Sequence, residues 1–148
     1  MTRIKQKEIK IAVIGLGYVG LPLAVEFSKL YPVIGFDLNQ SRIKELRAGF
    51  DKNLEVSKSS LLSSRNISLT FNKKNLNPCN VYIITVPTPI DEFNKPDLAP
   101  ITSATSMIGS LLAMGDVVIY ESTVYPGATE EVCVPILEQV SNMKYKKE

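Results

Sequence analysis

The sequence predicts an α/β fold, a single domain built on a doubly wound, wholly parallel sheet, and three observations carry that expectation. Short β-branched runs alternate with segments of helical period along most of the chain. The runs are apolar throughout rather than every second residue, as strands covered on both faces are. The chain's 148 residues, 45% hydrophobic and 22% charged, suit one globular core. Strand–helix–strand units joined by right-handed crossovers then place helices on both faces of the sheet.

Each element follows from local chemistry. Residues 10–14 (KIAVI) are β-branched and followed by glycine, and read as a buried strand. Residues 18–30 form a helix with an apolar face of Val19, Leu23, Val25, Phe27 and Leu30. Pro22 falls near its first turn, where a missing N–H costs little. Val33–Phe36 is the second strand. Residues 41–48 (SRIKELRA) form a helix with Ser41 or Asn39 as its cap and Gly49 just past its end. Residues 51–66 are polar and serine-rich, a short helix and loop to which no chemistry is assigned. Residues 67–71 and 81–86 are strands, the second stopped by Pro-Thr-Pro, and residues 91–100 are a polar loop. Residues 101–114 form a helix closed by Gly115, and Val117–Tyr120 is a further buried strand. Residues 127–140 are the last helix, with Glu130 and Glu131 in its first turns, where the dipole favours acids. The domain is expected over residues 10–140, between an N-terminal tail (1–9) and a polar tail (141–148).

Composition removes several function classes. A net charge of +2, with the lysines gathered at the two ends, gives no basis for nucleic-acid binding. No run of 18 apolar residues and no charged-then-apolar start appears, so no membrane segment is expected and the location is read as cytoplasmic. The chain has no histidine, which excludes Ser-His-Asp and Cys-His catalysis and almost every catalytic zinc site. Two distant cysteines, Cys79 and Cys133, suggest neither a disulfide framework nor a metal site. With nothing nearby to activate them, they read as small apolar fillers.

Gly15, Gly17 and Gly20 form G-x-G-x-x-G between a strand and a helix, the context that gives this pattern meaning and makes the expected fold Rossmann-type. The first glycine permits a tight turn, the second lets the backbone approach a pyrophosphate, and the third lets helix and strand pack closely. The helix N-terminus offers N–H groups and partial positive charge to the phosphates. Asp37 ends the second strand 22 positions after Gly15, close to the spacing of about 20 for the acid that binds the adenosine ribose. A carboxylate there accepts both ribose hydroxyls and repels a 2′-phosphate, so the expected cofactor is NAD rather than NADP. Arg42, one turn into the next helix, either lies over the adenosine half or is a solvated helix arginine. Two further polar blocks, residues 85–89 (TVPTP) and 121–127 (ESTVYPG), follow strands. Their Thr88 and Thr123 are expected to join the glycine loop and Asp37 in one crevice at the carboxyl ends of the strands. The alternative for these blocks is that Pro87, Pro89 and Pro126 merely terminate strands.

Four blocks are recognisable together: Gly15-Leu-Gly-Tyr-Val-Gly-Leu-Pro-Leu-Ala, Val33-Ile-Gly-Phe-Asp, Thr85-Val-Pro-Thr-Pro and Tyr120-Glu-Ser-Thr-Val-Tyr-Pro-Gly-Ala-Thr-Glu-Glu. In this order they resemble the N-terminal domain of the UDP-glucose/GDP-mannose dehydrogenase family, over residues 10 to about 140. The last block resembles the branch acting on UDP-N-acetylhexosamines. The resemblance implies oxidation of a sugar C6 alcohol to a carboxylate with two NAD, through an aldehyde captured by a cysteine, for surface polysaccharide biosynthesis. It implies that Val19 and the glycine loop meet the pyrophosphate, Asp37 the adenosine ribose and Arg42 the adenosine side. Thr88 and Thr123 lie along the nicotinamide half, Thr123 also near the chemistry, and Tyr18 and Val86 are counted with the cofactor-binding residues.

The family's nucleophilic cysteine, in a Gly-Gly-x-Cys stretch, and its catalytic lysine have no counterpart here, and neither cysteine of the chain matches that setting. The chain is therefore expected to bind NAD alone and to meet a UDP-sugar only together with the family's C-terminal half. Complete family members are expected to be homodimers. The alternative is a non-catalytic NAD-binding module or a truncated product lacking the catalytic half. Hydroxyacid and 6-phosphogluconate dehydrogenases, or a flavoprotein, would not account for the last two blocks.

Overall fold

A computed structural model describes residues 9–145 except residue 91. Residues 1–8 of the expected N-terminal tail and residues 146–148 of the expected C-terminal tail lie outside these residues. The elements run β1 (Ile11–Ile14), α1 (Gly20–Ser28), β2 (Val33–Phe36), α2 (Gln40–Arg47), α3 (Lys58–Ser63), β3 (Ile67–Thr70), β4 (Val81–Ile84), α4 (Ala99–Gly109), β5 (Val117–Tyr120) and α5 (Val134–Ser141). The strands lie in the order β3-β2-β1-β4-β5, all parallel, in one sheet. The chain winds outward from β1 in one direction, then returns to its other side, so the two halves part between β1 and β4.

Alternation along β1 builds both halves of the core. Ile11 and Val13 face Leu21, Ala24 and Val25 of α1 and Ile43 and Leu46 of α2. Ala12 and Ile14 face the other way, with Tyr82 and Ile84 of β4 against Ile101, Ala104 and Ile108 of α4. The doubly wound α/β expectation holds, with helices on both faces. No described helix is long and apolar enough to cross a membrane.

Several local expectations are corrected. The buried face of α1 is Leu21, Ala24, Val25 and Ser28, the set that helical spacing aligns. Val19 is exposed because it caps the helix at the sheet edge, and Leu30 because the helix has already ended at Lys29. β5 is an edge strand rather than a buried one, with Val117 and Ile119 turned outward. α4 stops at Gly109, where Val140 packs against the bare glycine, and Gly115 (φ +86°) instead turns the chain into β5. The last helix is broken. Pro135 has no N–H to return to the carbonyl of residue 131, so residues Thr129–Cys133 widen into a π turn, closed from Val134 N–H to the Thr129 carbonyl, before α5 begins. Lys73–Leu76 form a 3₁₀ turn capped by Asn72, an element that the sequence pattern does not signal. The start of the expected C-terminal tail is ordered against α5, with the Tyr145 amide donating to Glu138 Oε1 at 3.0 Å.

Candidate functional site

The parallel register aligns Ile14 with both Phe36 and Ile84, and Ile84 with Tyr120. The residues that follow, Gly15, Asp37, Thr85 and Glu121, therefore leave the sheet along one edge, beside the point where the two halves part. A cleft of about 530 Å³ opens there.

The glycine loop forms its floor. Gly15 sits at φ +96° and donates its N–H to the Phe36 carbonyl at 2.8 Å, so the chain turns sharply off β1. A Cβ on Gly20 would overlap the Gly15 carbonyl oxygen and Thr85 Oγ1, so only glycine lets α1 start this close to β1 and β4. Gly17 is different. A Cβ there meets nothing within 4 Å, so the space above it is open for a ligand rather than filled by protein. α1 has no side-chain cap and no acid in its first turn, which leaves its positive end uncompensated beside Gly17, Tyr18 and Val19 of the cleft lining. These features fit a pyrophosphate.

Thr85 locks the floor from beneath. Its buried hydroxyl lies 3.0 Å from the Ile14 carbonyl and 2.7 Å from that of Gly15. On the far side, Thr88 Oγ1 donates to the Thr123 carbonyl and Ser122 Oγ to the Val86 carbonyl at 2.7 Å, joining the loops after β4 and β5.

Asp37 and Arg42 close the opposite end. The Asp37 carboxylate accepts the Leu16 amide through Oδ2 and the Asn39 amide through Oδ1, both at 2.9 Å. Asn39 in turn caps α2 by accepting the Arg42 amide, so of the two candidate caps the structure uses Asn39. Arg42 is not the solvated helix arginine. Its side chain is buried, its Nε donates to the Leu16 carbonyl at 3.0 Å, and its Nη2 pairs with Asp51 Oδ1 at 2.7 Å. Nη1 has no hydrogen-bond partner among the described residues and lies 3.7 Å from Glu45 Oε2.

Asp51 is wholly covered and also takes the amides of Asn53, Glu55 and Val56. Burial alone would push its carboxyl up. The Arg42 guanidinium and the backbone N–H groups outweigh that and hold it below the ordinary carboxylate value.

Gly15, Gly17, Tyr18, Val19, Asp37, Arg42, Val86, Thr88 and Thr123 all line the cleft. Gly20 lies beneath it, as a packing glycine. Leu16, Asn39, Thr85, Glu121 and Ser122 line it too. The rule that ligands gather at strand ends points to all but Asn39 of these without singling them out. Lys52 and Asn53 reach it from a segment to which the sequence assigned no chemistry. Their approach depends on the Arg42–Asp51 pair, for which no spacing rule exists. Both cysteines lie outside the cleft and are buried, and burial pushes the Cys79 thiol up to about 11. Among the described residues no group of His, Cys, Asp and Glu is arranged to hold a metal ion.

The family model described as the UDP-glucose/GDP-mannose dehydrogenase family, NAD binding domain, matches residues 9–148. The chain belongs to that family. As its NAD-binding domain, it is 58% identical over 142 residues to a UDP-N-acetyl-D-glucosamine 6-dehydrogenase of Pseudomonas aeruginosa, covering 96% of this chain and 34% of the relative. The relative of the same name from Salmonella typhi is 53% identical, with 95% and 33% covered. The solved UDP-D-ManNAc dehydrogenase of Pyrococcus horikoshii superposes with a TM-score of 0.83 at 32% identity, covering 93% of this chain and 34% of that one. The chain thus spans about a third of the length of the relatives it matches.

Proposed function

We propose that the chain is the cofactor half of a UDP-N-acetylhexosamine 6-dehydrogenase, with residues 10–140 forming the domain that holds NAD in the cleft at the strand ends. The open space above Gly17, at the uncapped N-terminus of α1, carries this reading. The pyrophosphate lies over Gly15, Gly17, Tyr18 and Val19, the adenosine ribose at Asp37, and the adenosine side next to Arg42. Val86, Thr88 and Thr123 would flank the nicotinamide, whose chemistry when bound would be to take hydride from the substrate.

The two glucosamine 6-dehydrogenases at 58% and 53% identity support a UDP-N-acetylhexosamine as substrate of the whole protein, oxidised at C6 to a carboxylate for surface polysaccharide synthesis. We place that whole protein in the cytoplasm as a homodimer, with Thr123 near the reacting carbon and the nucleophilic cysteine supplied from outside these 148 residues. Burial of Cys79 and Cys133 supports the last point.

Calorimetric titration of the chain with NAD, followed by an absorbance assay for NADH with UDP-N-acetylglucosamine, tests both parts. Saturable binding without turnover is expected. No binding would overturn the cofactor site, and steady NADH formation would overturn the placement of the nucleophile.

A further inference from the structure

Nucleotide-binding sheets of this kind choose between two cofactors by charge at the adenosine ribose. An acid at the end of the second strand takes the 2′-hydroxyl of NAD, and a nearby arginine accommodates the 2′-phosphate of NADP. This chain carries both, and one residue separates them: Leu16 gives its amide to Asp37 and its carbonyl to Arg42.

Two of the three Arg42 nitrogens are already committed, and the third, Nη1, has no hydrogen-bond partner among the described residues and lies 3.7 Å from the Glu45 carboxylate. Asp51 holds Nη2 at 2.7 Å, both side chains are at most 5% exposed, and the Leu16 carbonyl holds Nε. In so dry a setting the paired carboxylate cancels most of the guanidinium's field at the cleft. The structure goes to some length to keep Asp51 in place. Leu54, without the glycine such a turn favours, sits at φ 58°, and the amides on either side of it, Asn53 and Glu55, both donate to the Asp51 carboxylate. Lys52, on the same rim, is exposed and screened by water.

We infer that Asp51 sets the choice of NAD over NADP: by holding the Arg42 guanidinium and cancelling its charge, it denies the adenosine end of the cleft the cation that a 2′-phosphate needs. Asp51 touches no cofactor and acts through Arg42, as a positioning residue. The inference rests on the proposed seat of the adenosine ribose beside Asp37.

The test compares dissociation constants for NAD and NADP in the parent, Asp51→Asn and Asp51→Asn/Arg42→Gln, by calorimetry, with unfolding temperatures recorded without ligand. In Asp51→Asn the NAD preference is expected to shrink at least about tenfold, the scale of one charge-assisted hydrogen bond. In the double variant, which lacks the guanidinium, the preference returns toward the parent's. A purely structural role would weaken both cofactors together and leave their ratio unchanged, and that result overturns the inference.

Asp37→Ser gives an independent reading should Asp51→Asn fail to fold. With Arg42 still held by Asp51, it loses NAD affinity without gaining NADP, and tight NADP binding by this variant overturns the inference as well. A parent chain that binds neither cofactor contradicts the proposed cleft itself, a separate outcome from an unchanged ratio.

Discussion

The Asp37 carboxylate reaches back across the mouth of the cleft to the Leu16 amide, Oδ2 to N at 2.9 Å, while its other oxygen takes the Asn39 amide. One side chain thus ties the glycine loop to the start of α2, and each oxygen keeps acceptor capacity for a ribose hydroxyl. Asp37→Ala is expected to lose about 1.5–3 kcal/mol of NAD binding, or one to two powers of ten in affinity. Calorimetric titration checks it, and undiminished NAD binding by the variant would remove Asp37 from the site.

Gly20 and Thr85 make a packing prediction. The Gly15 carbonyl that a Cβ at Gly20 would strike belongs to the backbone of the tight turn and has nowhere to move. Gly20→Ala is expected to destabilise the fold by about 3 kcal/mol or more. For a chain of this size that lowers the melting temperature by roughly 6 °C or more, at about 2–4 °C per kcal/mol. A melting temperature within a degree or so of the parent's would show that the helix does not start where described.

The Arg42–Asp51 pair predicts a pH dependence. The Asp51 carboxyl is held below its ordinary value in the folded chain, so the unfolded chain binds the proton more readily. Its stabilising contribution is complete above the ordinary carboxylate value, about 3.9, and fades as pH falls through the lower folded value. Removing one partner of such a buried pair costs about 3–5 kcal/mol, so Asp51→Ala should be less stable by that order at neutral pH. The gap between parent and variant should narrow on acidification. Urea unfolding from pH 7 to 3 measures it, and a gap that widens instead would contradict the pairing.

The cysteines give a chemical prediction. With the Cys79 thiol at about 11, roughly one molecule in a thousand carries its thiolate at pH 8, and Cys133 is covered. A disulfide-exchange reagent should label the folded chain slowly and the urea-unfolded chain at once. Rapid labelling of the folded chain would mean that a thiol is presented to solvent and would reopen the question of a nucleophile within these residues.

Much of this architecture was legible in the sequence because it rests on periodicity and on glycine. β2 and β5 have the bounds that their β-branched runs predict, and the G-x-G-x-x-G spacing located the floor of the cleft. The misreadings share a physical origin. Val117 and Ile119 look like core residues, but burial depends on which strands flank β5, which hydrophobicity does not encode. Residues 127–140 read as one helix, but Pro135 lacks the N–H that an unbroken helix needs, and the chain widens into a π turn before it. Asp51 is polar, lies in a serine-rich stretch and belongs to no motif. Only the folded chain brings its carboxylate against Arg42 and carries Lys52 and Asn53 to the rim.

Gly17→Ala tests most directly whether the space above Gly17 receives the pyrophosphate of NAD. The added methyl meets no protein atom, so the variant should melt at the parent's temperature apart from a small backbone effect. It should nonetheless bind NAD at least about tenfold more weakly in a side-by-side titration, because the methyl takes the place of the closest backbone approach to the phosphates. Equal NAD affinity in parent and variant, with both fully folded, would contradict the account.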